Sequence, residues 1–169
     1  MKRIFSIALL LGIVSVFFTS CGDKFVYQNT IEFPDQKWDR IEKGKDINFE
    51  KINITNIKDV YDINVSFSHT KDINVDEVSF ILRIISPSGI KKETIHTVQL
   101  KDRNAEKFIG SDLGNIVEIK EPIKQYLTFT EKGEYEFIIS NYSSKYQVTG
   151  LKNIGIEVKK SELDYNVEK

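Results

Sequence analysis

Val60-Tyr61-Asp62-Ile63-Asn64-Val65-Ser66-Phe67-Ser68 decides the fold class of this chain. Tyr61, Ile63, Val65 and Phe67 fall on one face of an extended strand, and Asp62, Asn64, Ser66 and Ser68 fall on the other. A strict period of two with one apolar face marks an antiparallel strand that covers a core and turns its other side to water. The pattern recurs on both sides of this stretch. Downstream, Val78 to Ile85 is an almost continuous apolar run rich in β-branched residues, which predicts a central strand. Ser86-Pro87-Ser88-Gly89 then supplies a turn, and Lys92 to Leu100 alternates as the returning partner. Upstream, Lys45 to Ile54 alternates in two phases broken at Glu50-Lys51, the mark of a strand with a bulge.

Further along, Ile116 to Ile119 predicts a short strand that ends at Pro122, and Ile123 to Phe129 predicts another. Glu134 to Ser140 alternates after a turn at Gly133, Asn141 to Lys145 is polar and loop-like, and Ile154 to Val158 is the last strand. Lys101 to Glu121 is otherwise without a clear period. No stretch after the first twenty residues combines a 3.6-residue period with helix caps. About eight or nine short strands joined by Gly, Pro, Asn and Asp turns predict an all-β antiparallel β-sandwich, of Greek-key or jelly-roll type. The expected sandwich domain covers residues 35–160. Residues 21–34 are expected to be a tether that becomes extended, and residues 161–169 a frayed C-terminal tail.

The start of the chain sets the compartment. Lys2 and Arg3 lead into the apolar run Ile4 to Phe18, which gives way to Thr19-Ser20-Cys21-Gly22-Asp23. This is the build of a secretory signal peptide over residues 1–20, with an apolar region too short for a preferred membrane span. Phe18-Thr19-Ser20-Cys21 resembles a lipobox, in which small residues admit the signal peptidase and the cysteine sulfur takes the diacylglycerol. Phe18 departs from the commoner Leu. The other reading is a soluble secretory protein cut near Ser20 with a free thiol. Cys21 is the single cysteine of the chain, so it forms no internal disulfide, and lipidation accounts for it. Two or three acyl chains, at about 0.8 kcal/mol per buried methylene, hold a protein stably to a leaflet.

Removing Lys2 and Arg3 leaves 22 basic residues against 25 acidic, a mature net charge of 22 − 25 = −3. Nothing in this balance points to nucleic acid, and a mean hydropathy of −0.29 with no second long apolar run argues against further spans. His69 and His96 are 27 residues apart with no second cysteine, so neither is expected to ligate a metal; both are read as solvated. No G-x-S-x-G nucleophile elbow occurs, and Gly110 to Gly114 lacks the lysine of a phosphate loop. No cofactor and no catalytic residue are expected. Trp38, Tyr61 and Tyr135 are the aromatic candidates for contact with a partner, with core packing as their other reading.

The order of features resembles the GldH-type gliding-motility lipoproteins of the Bacteroidetes. Phe33-Pro34-Asp35 with Trp38 and Phe49 is similar to the family's segment after the lipobox, and Ser86 to Gly89 to its proline-glycine turn. Phe129-Thr130-Glu131-Lys132-Gly133-Glu134-Tyr135-Glu136-Phe137 resembles F-x-x-x-G-x-Y-x-F, and Gly150 to Ile156 resembles the closing L-x-x-v-G segment. Two segments depart from the family: Ser68 to Asp72 replaces an arginine- and tyrosine-rich stretch, and Gly110 to Gly114 lacks a tryptophan between its glycines. The resemblance implies a non-enzymatic envelope lipoprotein, more on the outer than the inner membrane, whose partners are other motility or secretion proteins. A carbohydrate-binding surface lipoprotein is the alternative; it requires exposed aromatic rings in a cleft.

Overall fold

The computed structural model describes residues 25–40, 46–105 and 107–161. The expected signal peptide, Cys21 and the expected tail from residue 162 lie outside the described residues. Eleven strands follow in chain order: β1 (Phe25–Glu32), β2 (Lys37–Asp39), β3 (Ile47–Ile54), β4 (Tyr61–Thr70), β5 (Glu77–Ile85), β6 (Lys91–Gln99), β7 (Ser111–Asp112), β8 (Ile116–Leu127), β9 (Gly133–Asn141), β10 (Gln147–Thr149) and β11 (Leu151–Lys160). One sheet has the order β1-β11-β4-β8-β7 and the other β3-β9-β5-β6, while β2 and β10 form a separate ribbon. All pairings are antiparallel. Only β5–β6 and β7–β8 pair with their immediate successors; the other links cross between layers, as Greek-key sandwiches do.

The alternation at Val60 to Ser68 is the centre of this arrangement. It becomes β4, flanked by β11 and β8, and Tyr61, Ile63, Val65 and Phe67 are 0–1% exposed. Phe49, Phe80, Leu82, Phe137 and Ile139 face them from the second sheet, all at 0%. The Phe67 and Phe80 rings meet at 5.9 Å between centroids and join the two layers. The bulge expected at Glu50-Lys51 is present: register shifts between Phe49 and Ile52, and Lys51 takes φ 62°.

Several elements differ from the sequence expectation. Phe25–Glu32 pairs with β11 as an edge strand, so the sheet begins before residue 35 and takes in most of the expected tether. The two strands expected around Pro122 are one twelve-residue strand, β8. β7 covers β8 only at Val117 and Glu118, so the rest of that side is an open edge, where proline is tolerated. The count rises to eleven through β1 and the two- and three-residue strands β2, β7 and β10, which are too short to show a period.

The sandwich has two ends. At the near end lie Phe25, Lys160, Tyr61 and Leu127 of one sheet, and Ile54, Gly133 and the β5–β6 turn of the other. At the far end lie Thr70, the start of β5, the end of β9 and Gly150. Ten residues of β4 separate the ends by about 33 Å at ~3.3 Å per residue.

Candidate functional site

The three aromatic residues singled out from the sequence are core residues. Trp38 and Tyr61 are 0% exposed and Tyr135 is 3%. Phe33 tilts against Trp38 at 6.1 Å, and Phe129 packs between Tyr61 at 5.2 Å and Tyr135 at 4.7 Å. The two tyrosine hydroxyls are satisfied inside the fold, Tyr61 Oη donating to Asn56 O (3.0 Å) and Tyr135 Oη to Glu131 O (3.1 Å). None of the three offers an open ring to a partner.

Two exposed aromatics sit elsewhere, on the loop Asn141 to Tyr146 at the far end. Tyr142 is 43% exposed and Tyr146 58%. The loop is pinned from beneath. Buried Asn141 donates from Nδ2 to Trp38 O (2.8 Å) and accepts the Ser143 N–H at Oδ1 (2.8 Å). Ser143, 1% exposed, accepts the Ser79 N–H at Oγ (3.2 Å) and returns a bond to Ser79 O (3.1 Å), which also takes the Tyr142 N–H (2.9 Å). Arg40 closes the other side: its N–H reaches Tyr146 O (2.9 Å), and its guanidinium carbon lies 5.3 Å from the Tyr142 ring centroid. The short side chains bond inward while the two tyrosines point out, so the display is preorganised. Sequence reasoning read Asn141 to Lys145 as a polar loop; the available signal was Tyr142 and Tyr146 flanking turn-forming Ser143 and Ser144.

A second concavity crosses the outer face of the five-stranded sheet, with a volume of about 560 Å³. Thr30, Ser66, Ser68, Lys120 and Asn153 line it with hydroxyl, amine and amide groups. Beside it Glu157, 5% exposed, accepts from Asn64 Nδ2 (2.8 Å) and from Lys120 Nζ. Gly155, paired with Thr30 and Ser66, leaves room for their hydroxyls, because a Cβ there would stand 2.9 Å from Thr30 Oγ1 and closer still to Ser66 Oγ. The one aromatic residue in its lining is Phe67, whose ring faces the core.

Both histidines correct the sequence expectation of solvated side chains. His69 continues the inward face of β4 and is 0% exposed; its Nδ1–H donates to Thr70 O (2.9 Å) and its ring lies 5.3 Å from Phe108. Among the described residues its buried Nε2 has no hydrogen-bond partner. Burial pushes the His69 pKa below the ordinary value, against a smaller upward pull from the Thr70 carbonyl. His96 faces inward from β6, stacks on Phe80 at 5.6 Å, and is also lowered, by burial and then by Lys124. Both imidazoles therefore take up a proton at lower pH in the native state than in the unfolded chain, which binds it near pH 6.5. Stability is complete above that pH and falls as the pH drops from about 6.5 towards the depressed native values. The slope is at most about 1.4 kcal/mol per pH unit for each histidine. Urea midpoints at pH 7 and pH 5 check this, and His69→Gln is expected to flatten the dependence.

Among the described residues no three His, Cys, Asp or Glu side chains group to hold a metal ion, and no helix is long and apolar enough to cross a membrane. Fold and site together define an antiparallel β-sandwich that presents a rigid tyrosine loop at one end. The sequence profile of the GldH lipoprotein family matches residues 25–158, and the chain belongs to that family. It is accordingly a membrane-anchored envelope lipoprotein. Curated proteins yield no match. Among solved structures, one of infectious bursal disease virus Gx strain is similar over 82% of this chain and 30% of that chain, at 14% identity and a TM-score of 0.30, a likeness that carries no functional information.

Proposed function

We propose that this protein is a non-enzymatic assembly component of the gliding and secretion machinery, lipidated on Cys21, held to the outer membrane and bound to another envelope protein through its Tyr142–Tyr146 loop. One observation carries the reading: two half-exposed tyrosines beside an arginine on a loop held from beneath by buried Asn141 and Ser143. Tyr and Arg dominate the energetic centres of protein interfaces, and a rigid display lowers the ordering cost of binding. Family membership supports the envelope role.

Carbohydrate binding is the second reading, favoured by the hydroxyl-lined groove on the outer sheet. It ranks second because that groove lacks an open aromatic ring for a sugar to stack on. Binding on a glycan array would reverse the order. The leading reading is tested by deleting the gene and complementing it. Wild-type protein is expected to restore gliding and secretion, whereas Cys21→Ser is expected to be released or left unprocessed and to restore neither. A deletion strain that still glides and secretes normally contradicts the proposal.

A further inference from the structure

The surface left over by the far-end loop points to a second contact, this one with lipid. The described chain exposes eight large hydrophobic side chains, and four of them, Phe25 (49%), Ile57 (42%), Ile90 (58%) and Tyr126 (50%), lie at the near end. They come from four separate parts of the chain: the start of β1, the β3–β4 loop, the β5–β6 turn and the end of β8. Exposed Lys58, Lys91, Lys92 and Lys132 lie in or beside the same loops and turns, with Glu134 the exposed acidic residue beside Gly133. Lys160 is paired with Asp59 at 2.6 Å, and Glu131 is engaged by Ser88 at 2.6 Å. An apolar cleft of about 380 Å³, floored by Ile84, Leu127, Phe129 and Tyr135, opens between the sheets at the same end.

Chain length says what covers this face. Only Gly22, Asp23 and Lys24 separate Cys21 from Phe25, so the two lie within about 14 Å of each other even when fully extended. The far end stands about 33 Å beyond, out of reach of the leaflet that holds the acyl chains. The sheet edge nearest the anchor offers no rival surface, because the middle of β1 exposes polar Gln28, Asn29 and Thr30. Aromatic and aliphatic side chains with lysines nearby suit the boundary between headgroups and acyl chains.

We propose that the near end of the sandwich rests on the bilayer, with Phe25, Ile57, Ile90 and Tyr126 seated at the headgroup boundary and the lysines on anionic headgroups. The protein then stands upright, with the tyrosine loop at the far side. This rests on lipidation at Cys21. The test uses the full lipidated chain in vesicles of phosphatidylethanolamine and phosphatidylglycerol. A fluorophore is placed on Ile57→Cys, Ile90→Cys or Tyr126→Cys, with Leu113→Cys and Tyr146→Cys at the far end as controls. All five side chains are exposed, so folding is retained. Nitroxide-bearing phospholipid is expected to quench the three near-end labels several-fold more than the two far-end labels. Equal quenching at both ends, with the protein bound through Cys21, overturns the orientation and leaves the anchor standing. Wild-type protein that stays in the supernatant, or Cys21→Ser that binds as well as wild type, overturns the anchor and the orientation with it.

Discussion

Trp38→Ala is expected to lower the unfolding free energy by about 3–5 kcal/mol, the usual loss when a buried aromatic side chain is truncated. Trp38 is 0% exposed, sits opposite Val148 in the β2–β10 ribbon and packs on Phe33. The ribbon closes the far end of the sandwich, so a cavity there has few neighbours able to collapse into it. The effect reads as a lower urea midpoint at unchanged slope. Trp38→Phe, which keeps most of the buried ring area, is expected to recover more than half of the loss. The carbonyl that accepts Asn141 Nδ2 belongs to the backbone and survives both substitutions. The folded fraction of Trp38→Ala therefore retains the tyrosine loop, and what the variant loses is abundance. A midpoint unchanged from wild type contradicts the core role of this residue.

Gly150→Val is expected to be of similar severity for a different reason. Gly150 joins β10 to β11 at φ +89°, a conformation that side chains other than hydrogen rarely adopt. Its N–H donates to Gln36 O (2.8 Å), and its carbonyl accepts the Thr70 N–H (2.8 Å). A Cβ there would stand 2.8 Å from both Ile73 Cα and Thr70 Oγ1, and the first of these is backbone that cannot swing aside. Strain costs about 1–3 kcal/mol and overpacking about 1–3 more. Gly89 is the internal control. It has φ +85° with open space where a Cβ would go, so Gly89→Ala isolates the strain contribution and is expected to cost about 1 kcal/mol. Equal losses for the two variants would show that the clash at Ile73 is relieved at no cost.

The long strands were legible because each buries one face against the other sheet, and burial imposes the period of two. Tyr61 to Phe67 and Tyr135 to Ile139 carry it cleanly, whereas Val78 to Ile85 was legible as a continuous apolar run rich in β-branched residues. β1 did not, since an edge strand with Asn29 and Thr30 in water is only half constrained by the core. Pro122 read as a strand end because it has no N–H to donate, and only the shortness of β7 makes its place in β8 acceptable. His69 read as solvated because Phe108, which covers it, lies 39 positions away in a stretch without a period. The site was the least legible part. Trp38, Tyr61 and Tyr135 stood out as aromatic, but ring chemistry is the same in a core and on a surface. Tyr142 passed as a loop residue and Tyr146 as part of the lead into the last strand, because what holds them comes from Ser79 and Arg40, which are distant in the chain.

The proposed lipid contact at one end and the tyrosines at the other give the molecule a direction, and the central claim concerns the tyrosine end. Tyr142→Ala combined with Tyr146→Ala removes only exposed rings, leaving Asn141 and Ser143 bonded beneath them, and is expected to shift the urea midpoint by less than the equivalent of about 1 kcal/mol. The decisive measurement is the spreading and secretion of a deletion strain complemented with this double variant, at wild-type abundance and in the same membrane fraction. The account predicts loss of both activities from a stable, correctly anchored protein. Wild-type spreading and secretion from that strain would contradict it.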